Sequence, residues 1–252
     1  MNNTEENWDK MAEAYEKFTS GDDSYSFRIE WPCIQKLLPD LEGKRVIDLG
    51  CGTGRFTFWF EEGRPEQIVG VDVSEGMLKL AKKRAAKIKS KAEFLKGDVS
   101  QYRHNEQFDL VFSSTVTHYI KDLDKLFSNI SAMLRPNGDC IMSVMNPIYT
   151  AQYPIKNGDT FPDDSQWVVR YLNKRERGYI QPWIEYNDSI DDFLSFSFHH
   201  TFSDYLNAII RSGLTMEEVQ EPLPPEDWKE RFPERYNGFI ETPSYLIIKM
   251  HK

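Results

Sequence analysis

The 252-residue sequence predicts an α/β fold: a parallel sheet with helices on both faces. Three observations predict it. Short apolar runs alternate with amphipathic segments from residue 46 to residue 145. The first apolar run passes straight into a glycine turn, VIDLGCGTGRF. Strand-like runs one and two carry an acid at or near their carboxyl ends, and a third acid, Asp98, stands in the GDV turn after run three. In open parallel sheets that rim is where ligands bind.

The elements follow in chain order. Residues 5–18 read as a helix, with Trp8, Met11, Tyr15 and Phe18 three and four positions apart. A second helix covers Phe27 to Leu38, Pro32 kinking it or lying near its start. Val46–Leu49 is the first strand and Arg55–Glu62 a short helix stopped by Gly63. Ile68–Val73 is the second strand, followed by a helix that Ser74 caps and that runs to about Lys89. Ala92–Leu95 and Phe108–Phe112 are strands three and four. Leu123–Leu134 is a helix stopped by RPNG, and Cys140–Met145 is strand five. After Asn146-Pro147 the pattern gives way to an aromatic-rich stretch, residues 147 to about 200, in which VVRYLN and YIQPWIEY flank KRERG as a β-hairpin or a pair of strands. Regular alternation returns at TFSDYLNAIIRSGL, where Thr201 and Asp204 match a capping box and Gly213 a helix stop. LTMEEVQ and SYLIIKM are the last strands. The chain reads as one domain, residues 1–252, with an insertion after the fifth strand.

Composition narrows the function. Forty acidic against 31 basic residues give a net charge of −9, which weighs against a nucleic-acid footprint. The basic run KLAKKRAAKIKSK fits a solvated helix face. Cys33, Cys51 and Cys140 have no metal spacing and read as reduced thiols of a cytoplasmic protein. The polar N-terminus resembles no targeting peptide, and no apolar run reaches the ~20 residues that span a bilayer. No metal is expected. A monomer and a homodimer are both compatible with the sequence.

The glycine turn does not suit a pyrophosphate. Gly50, Gly52 and Gly54 are followed by Arg55 where a dinucleotide fingerprint needs its third glycine, and Asp48 would repel phosphate. A nicotinamide oxidoreductase is disfavoured on both grounds. Asp48 suits a ligand with a cationic end, Asp72 a ribose diol, and Asp98 an exocyclic amine. S-adenosylmethionine carries all three groups and no phosphate.

VIDLGCGTG, VGVDVSEGMLKLAKKR, FLKGDV and FDLVFSSTVTHYIKDLDKLFSNISAMLRPNG together resemble the class I S-adenosylmethionine-dependent methyltransferases, small-molecule enzymes of the ubiquinone/menaquinone-methyltransferase-like type. The resemblance spans residues 8 to about 145 and resumes at HHTFSDYLNAIIRSGL. It implies a Rossmann-like, seven-stranded, mostly parallel sheet with an antiparallel last strand, supplied by SYLIIKM. It further implies that Asp48, Gly50, Cys51, Gly52 and Gly54 surround the methionyl end, with the Ser113 and Ser114 backbone near its amine. Asp72, beside Val73, holds the ribose. Met77, Asp98 and Val99 meet the adenine. The N-terminal helices, residues 1–38, cover the cofactor, with Tyr15 as a contact.

For the chemistry, His118 in THYI is the candidate general base, with a structural histidine as the competing reading. Tyr119 beside it, and Tyr149, Trp167, Tyr171, Trp183, His199 and His200 from the insertion or its return, are candidate substrate contacts. In a strand His199 and His200 would point to opposite faces, so at most one reaches the pocket. The expected partner is a small-molecule methyl acceptor. A nucleic-acid amino-methyltransferase would carry an Asn/Asp-Pro-Pro-aromatic motif where this chain has FSSTVTH. The remaining alternative is a non-catalytic S-adenosylmethionine-binding sensor or partner subunit.

Overall fold

The computed structural model describes residues 4–152, 169–180 and 194–252. Helix α1 (Thr4–Thr19) leads into a π-type turn over Ser26–Glu30 that continues directly as α2 (Trp31–Leu37). Pro32 sits in the first turn of α2, where a missing N–H costs nothing. There follow β1 (Arg45–Leu49), α3 (Arg55–Glu61), β2 (Gln67–Asp72), α4 (Glu75–Ile88), β3 (Glu93–Lys96), β4 (Phe108–Ser114), α5 (Leu123–Met133) and β5 (Leu134–Met145). Then come α6 (Pro147–Thr150), β6 (Arg177–Ile180), β7 (Leu194–Ser197), α7 (Phe202–Arg211), β8 (Thr215–Gln220), α8 (Trp228–Arg231), α9 (Pro233–Glu241) and β9 (Tyr245–His251).

The main sheet has seven strands in the order β3-β2-β1-β4-β5-β9-β8. β9 runs antiparallel to both β5 and β8, and the pairs among β1 to β5 are parallel. The order reverses between β1 and β4, so the crevice lies above their carboxyl ends. Alternation along the strands divides the core into two layers. Ile47, Leu49, Val69 and Val71 face the layer built with α5 and α7, whereas Val46, Ile68 and Leu110 face α2 and α3.

Caps close the helices where the sequence places them. Ser74 Oγ accepts from the Met77 N–H, and Thr201 with Asp204 forms a reciprocal capping box. Two expectations change. RPNG does not merely end a helix: residues 135–138 lie within β5, with Asn137 at φ +61° and a register irregularity opposite Phe108/Leu110. Asn tolerates that left-handed backbone, so the chain bulges and stays in the sheet. The described part of VVRYLN, residues 169–173, forms no strand either. β6 pairs antiparallel with β7 from the far end of the insertion, Arg177 opposite Ser197, while residues 171–172 form a turn. Trp167 and Trp183 lie outside the described residues. Helices α8 and α9 come from a stretch that shows no apolar alternation; their anchors are Trp228 and Phe239, packed with Ile29 and Tyr245.

Candidate active site

A cavity of about 840 Å³ opens above the carboxyl ends of β1, β2 and β4, within the range of small-molecule sites. Its wall at the β2 end is built from main chain. Gly50 and Gly52 have φ of +79° and +54°, which L side chains rarely adopt. A Cβ on Gly50 would meet Val116 Cγ2 at 2.1 Å, whereas one on Gly52 would meet nothing within 4 Å. The first glycine lets two turns close on each other, and the second leaves its backbone open to the cavity.

Asp72 is clamped from both sides. Gly52 N–H donates to Oδ2 at 2.8 Å and Ser74 N–H to Oδ1 at 2.9 Å. Burial nevertheless raises its carboxyl above the ordinary range. Each oxygen keeps acceptor capacity, so the fixed carboxylate suits a pair of hydroxyls. Val73, Met77, Asp98 and Val99 line the same end. Asp98 also does the local work of a turn, accepting from Ser100 N–H at 2.9 Å and Ser100 Oγ at 2.7 Å.

Asp48 is placed elsewhere. It shares a strand face with Val46, so its side chain points away from the cavity toward α3, where Thr57 Oγ1 donates to Oδ2 at 2.6 Å. It is 2% exposed, and burial pushes its carboxyl up to about 7 against that hydrogen bond. Cys51 and Gly54 also lie off the cavity wall, Cys51 packing with Phe58 and Leu78. Ser113 is buried and donates to the Leu49 carbonyl at 2.8 Å, tying β4 to β1; Ser114 reaches the wall.

The roof is α1, which contributes Trp8, Tyr15 and Phe18. It is held down at three points. Asp9 Oδ1 accepts from Ser74 Oγ at 2.6 Å and Gly76 N–H at 2.8 Å; Thr53 Oγ1 donates to Glu16 at 2.5 Å; Arg55 Nη2 donates to Thr19 Oγ1 at 2.8 Å. Burial raises the Tyr15 phenol to about 12, with Arg55 pulling the other way.

The far end of the cavity joins β4, β5 and the insertion. Thr115, a β-branched residue, sits at φ +54° directly after β4, and its N–H donates to the Ser143 carbonyl at 2.7 Å. Such a conformation persists only where surroundings enforce it, and it recurs at functional sites. His118 and Tyr119 follow on a 3-10 turn and both line the cavity. His118 Nδ1 is buried with no hydrogen-bond partner, and burial, with His200 nearby, drives the imidazole down to about 3, so it is neutral at working pH. Its carbonyl accepts from Phe198 N–H at 2.7 Å, which fastens the returning insertion to the wall.

Of the insertion candidates, Tyr149 lines the cavity. Tyr171, His199 and His200 do not. Tyr171 Oη accepts from Phe202 N–H, and His199 Nε2 donates to the Tyr171 carbonyl at 2.7 Å, leaving Nδ1 to accept from Thr150 at 2.8 Å. His200 Nε2 donates to the Ile120 carbonyl at 2.8 Å. His199 therefore ties two parts of the insertion together, and His200 ties the returning chain to the loop after the His118 turn.

Sequence reasoning missed Glu30. This residue is 1% exposed, lines the cavity, and takes hydrogen bonds from Ser143 Oγ at 2.6 Å and Ser114 Oγ at 2.8 Å on one oxygen. A signal was present: Glu30, Ile34 and Leu37 fall four and three apart, on the buried face of the second helical segment. A carboxylate on that face is costly unless it serves a purpose. Tyr25 and Tyr245, also unforeseen, complete the wall beside it.

A family model described as "Methyltransferase domain" matches residues 40–188. An S-adenosylmethionine-dependent methyltransferase of Mesorhizobium loti superposes with a TM-score of 0.70 at 30% identity, over 88% of this chain and 97% of its own. A Listeria monocytogenes structure described as a putative S-adenosylmethionine-dependent methyltransferase superposes at 0.72, with 26% identity over 88% and 96%. An uncharacterised protein of Haemophilus influenzae is 31% identical over all of this chain and 99% of its own length. The juvenile hormone acid O-methyltransferase of Bombyx mori is 28% identical over 60% of this chain and 54% of its own length.

A doubly wound sheet with a reversed β9, a glycine turn and a clamped acid on β2 define the class I methyltransferase architecture. The chain belongs to the methyltransferase domain family: it is an S-adenosylmethionine-dependent methyltransferase. Among the described residues no helix is long and apolar enough to cross a membrane, and no group of His, Cys, Asp and Glu has the geometry to hold a metal.

Proposed function

We propose that this methyltransferase acts on a small-molecule acceptor by in-line displacement within the cavity beneath α1. The single observation that carries the reading is the cavity itself: a clamped diol acceptor at one end, an orphaned imidazole nitrogen at the other, and a pinned helix over both. When bound, the cofactor supplies an electrophilic methyl group on a cationic sulfur.

The chain's own residues supply position and dryness. Asp72 holds the ribose hydroxyls, with Met77, Asp98 and Val99 around the adenine. The backbone of Gly50, Gly52 and Ser114 faces the methionyl end. Tyr15 and Trp8 seal the roof and exclude water. That arrangement leaves the acceptor beside His118, Tyr119 and Tyr149, where its nucleophile must come within about 3–3.5 Å of the methyl carbon. Neutral His118, its Nδ1 unpartnered, accepts a hydrogen bond from the acceptor and so orients its nucleophile.

The net charge of −9 weighs against a nucleic-acid acceptor. The relatives' names span an acid O-methyltransferase and phosphoethanolamine N-methyltransferases, so they support small acceptors without choosing the atom. A ubiquinone-type O-methyltransferase of Bradyrhizobium diazoefficiens matches only 42% of this chain, which is thin support for that subtype. The reading places the protein in the cytoplasm. Calorimetry with S-adenosylhomocysteine, followed by transfer of a labelled methyl group into small metabolites, tests the proposal. Tight binding with label in the low-mass fraction is expected. Label appearing solely in protein or RNA would overturn it.

A further inference from the structure

Glu30 is a buried carboxylate with no ion-pair partner among the described residues. Its partners are the hydroxyls of Ser114 and Ser143, both on the same oxygen, with Ser26 close by. Arg55 acts on it through space without forming an ion pair, its Nη2 donating instead to Thr19 in the roof. Burial raises the Glu30 carboxyl as a consequence. An uncompensated carboxylate in a cavity wall is destabilising, and the standard compensation is a cation or a strong donor delivered by a ligand.

Its position separates it from the Asp72 clamp. Ser114 and Ser143 fix it above the carboxyl ends of β4 and β5, on the opposite side of β1 from the Asp72 clamp on β2. Around it stand tyrosine rings. Tyr15 and Tyr245 both feel its charge, Tyr245 also feels Tyr25 and Tyr149, and all four line the cavity. Aromatic faces next to a carboxylate attract a cationic nitrogen and offer nothing comparable to an anion.

We propose that Glu30 is the specificity-determining residue for the acceptor, and that the acceptor class is a small amine whose protonated nitrogen pairs with Glu30 between the tyrosine rings. The assignment rests on the methyltransferase reading above and deepens it. A carboxylic acid or phosphate group presented to the same wall would meet Glu30 as like charge, which costs binding. The Ser114 and Ser143 hydroxyls converge on one oxygen, and neutral hydroxyls, Ser26 among them, leave the negative charge for the nitrogen to neutralise.

The test uses the full chain. Small molecules from a cell extract are split by ion exchange into cationic, neutral and anionic pools, and each pool is incubated with enzyme and labelled S-adenosylmethionine. Label is expected in the cationic pool, and Glu30→Gln is expected to cut it at least 100-fold while Glu30→Asp retains part. The amide still accepts from both serines, so the fold is preserved, and S-adenosylhomocysteine affinity, measured in parallel, should change less than threefold. Three results overturn the proposal: no label in the cationic pool, undiminished label with Glu30→Gln, or a loss of S-adenosylhomocysteine affinity beyond tenfold, which would assign Glu30 to the cofactor's ammonium. Label confined to the other pools refutes the amine alone; label in no pool refutes the small-molecule function as well.

Discussion

The two ends of the cavity are built on different principles. At the β2 end the polar groups are anchored by neighbours in sequence or by main chain: Asp72 by the N–H groups of Gly52 and Ser74, and Asp98 by Ser100. At the β4/β5 end the buried carboxylate is anchored across the fold by side chains: Glu30 by Ser114 and Ser143. Main-chain anchors survive changes of side chain, whereas long-range anchors change whenever either partner does. The comparison teaches where variation belongs. The donor end can stay constant across enzymes that share one cofactor, and the acceptor end can be rebuilt without disturbing it.

The largest expected effect would break the donor end. Asp72→Ala removes a charged acceptor for two hydroxyls and strands two N–H groups, so S-adenosylhomocysteine affinity should fall about 300-fold. Calorimetry measures it; a loss below tenfold would mean that the β2 clamp is not the ribose site. Next, His118→Ala sharpens the division between the ends. Turnover on an identified acceptor should fall about 100-fold while cofactor affinity stays within threefold. Equal losses in both would make His118 structural.

The division also shows in what could be read beforehand. Gly52, Asp72, Asp98 and the strand-helix alternation were legible because their partners lie within a few residues or on the next strand. Asp48 was legible as an acid but not in its direction, although strand alternation with Val46 points it toward α3. Glu30 was invisible to motif reasoning because its meaning depends on β4 and β5 arriving above a distant helix. The pairing of β6 with β7 was hidden for the same reason: the partner lies beyond a long intervening segment, and a nearer apolar run looked equally suitable.

A smaller effect concerns the roof that both ends share. Asp9→Ala removes two hydrogen bonds between α1 and the start of α4. Release of S-adenosylhomocysteine should quicken about tenfold with little change in association. Stopped-flow fluorescence reads it, since Trp8 lies in α1 against Tyr119, with centroids 5.8 Å apart. Unchanged release would show that α1 does not gate that end.

The smallest effect separates architecture from site. In the folded chain the Asp48 carboxyl is raised from 3.8 to about 7 by burial, so folding takes up a proton between those values. Its contribution is complete below the lower value and is lost as pH rises through the upper one. Asp48→Asn does not titrate. Its stability relative to the parent should therefore climb by about 1 kcal/mol from pH 5 to pH 6 in urea melts. A flat difference would place Asp48 in contact with solvent.

The three tethers on α1 have a practical corollary. If α1 gates the cavity as proposed, whatever is fused ahead of Thr4 is mounted on the door through which donor and spent product pass. Bulky N-terminal tags should slow traffic through that door or prop it ajar, and kinetic constants taken from such proteins would describe the hinge as much as the chemistry.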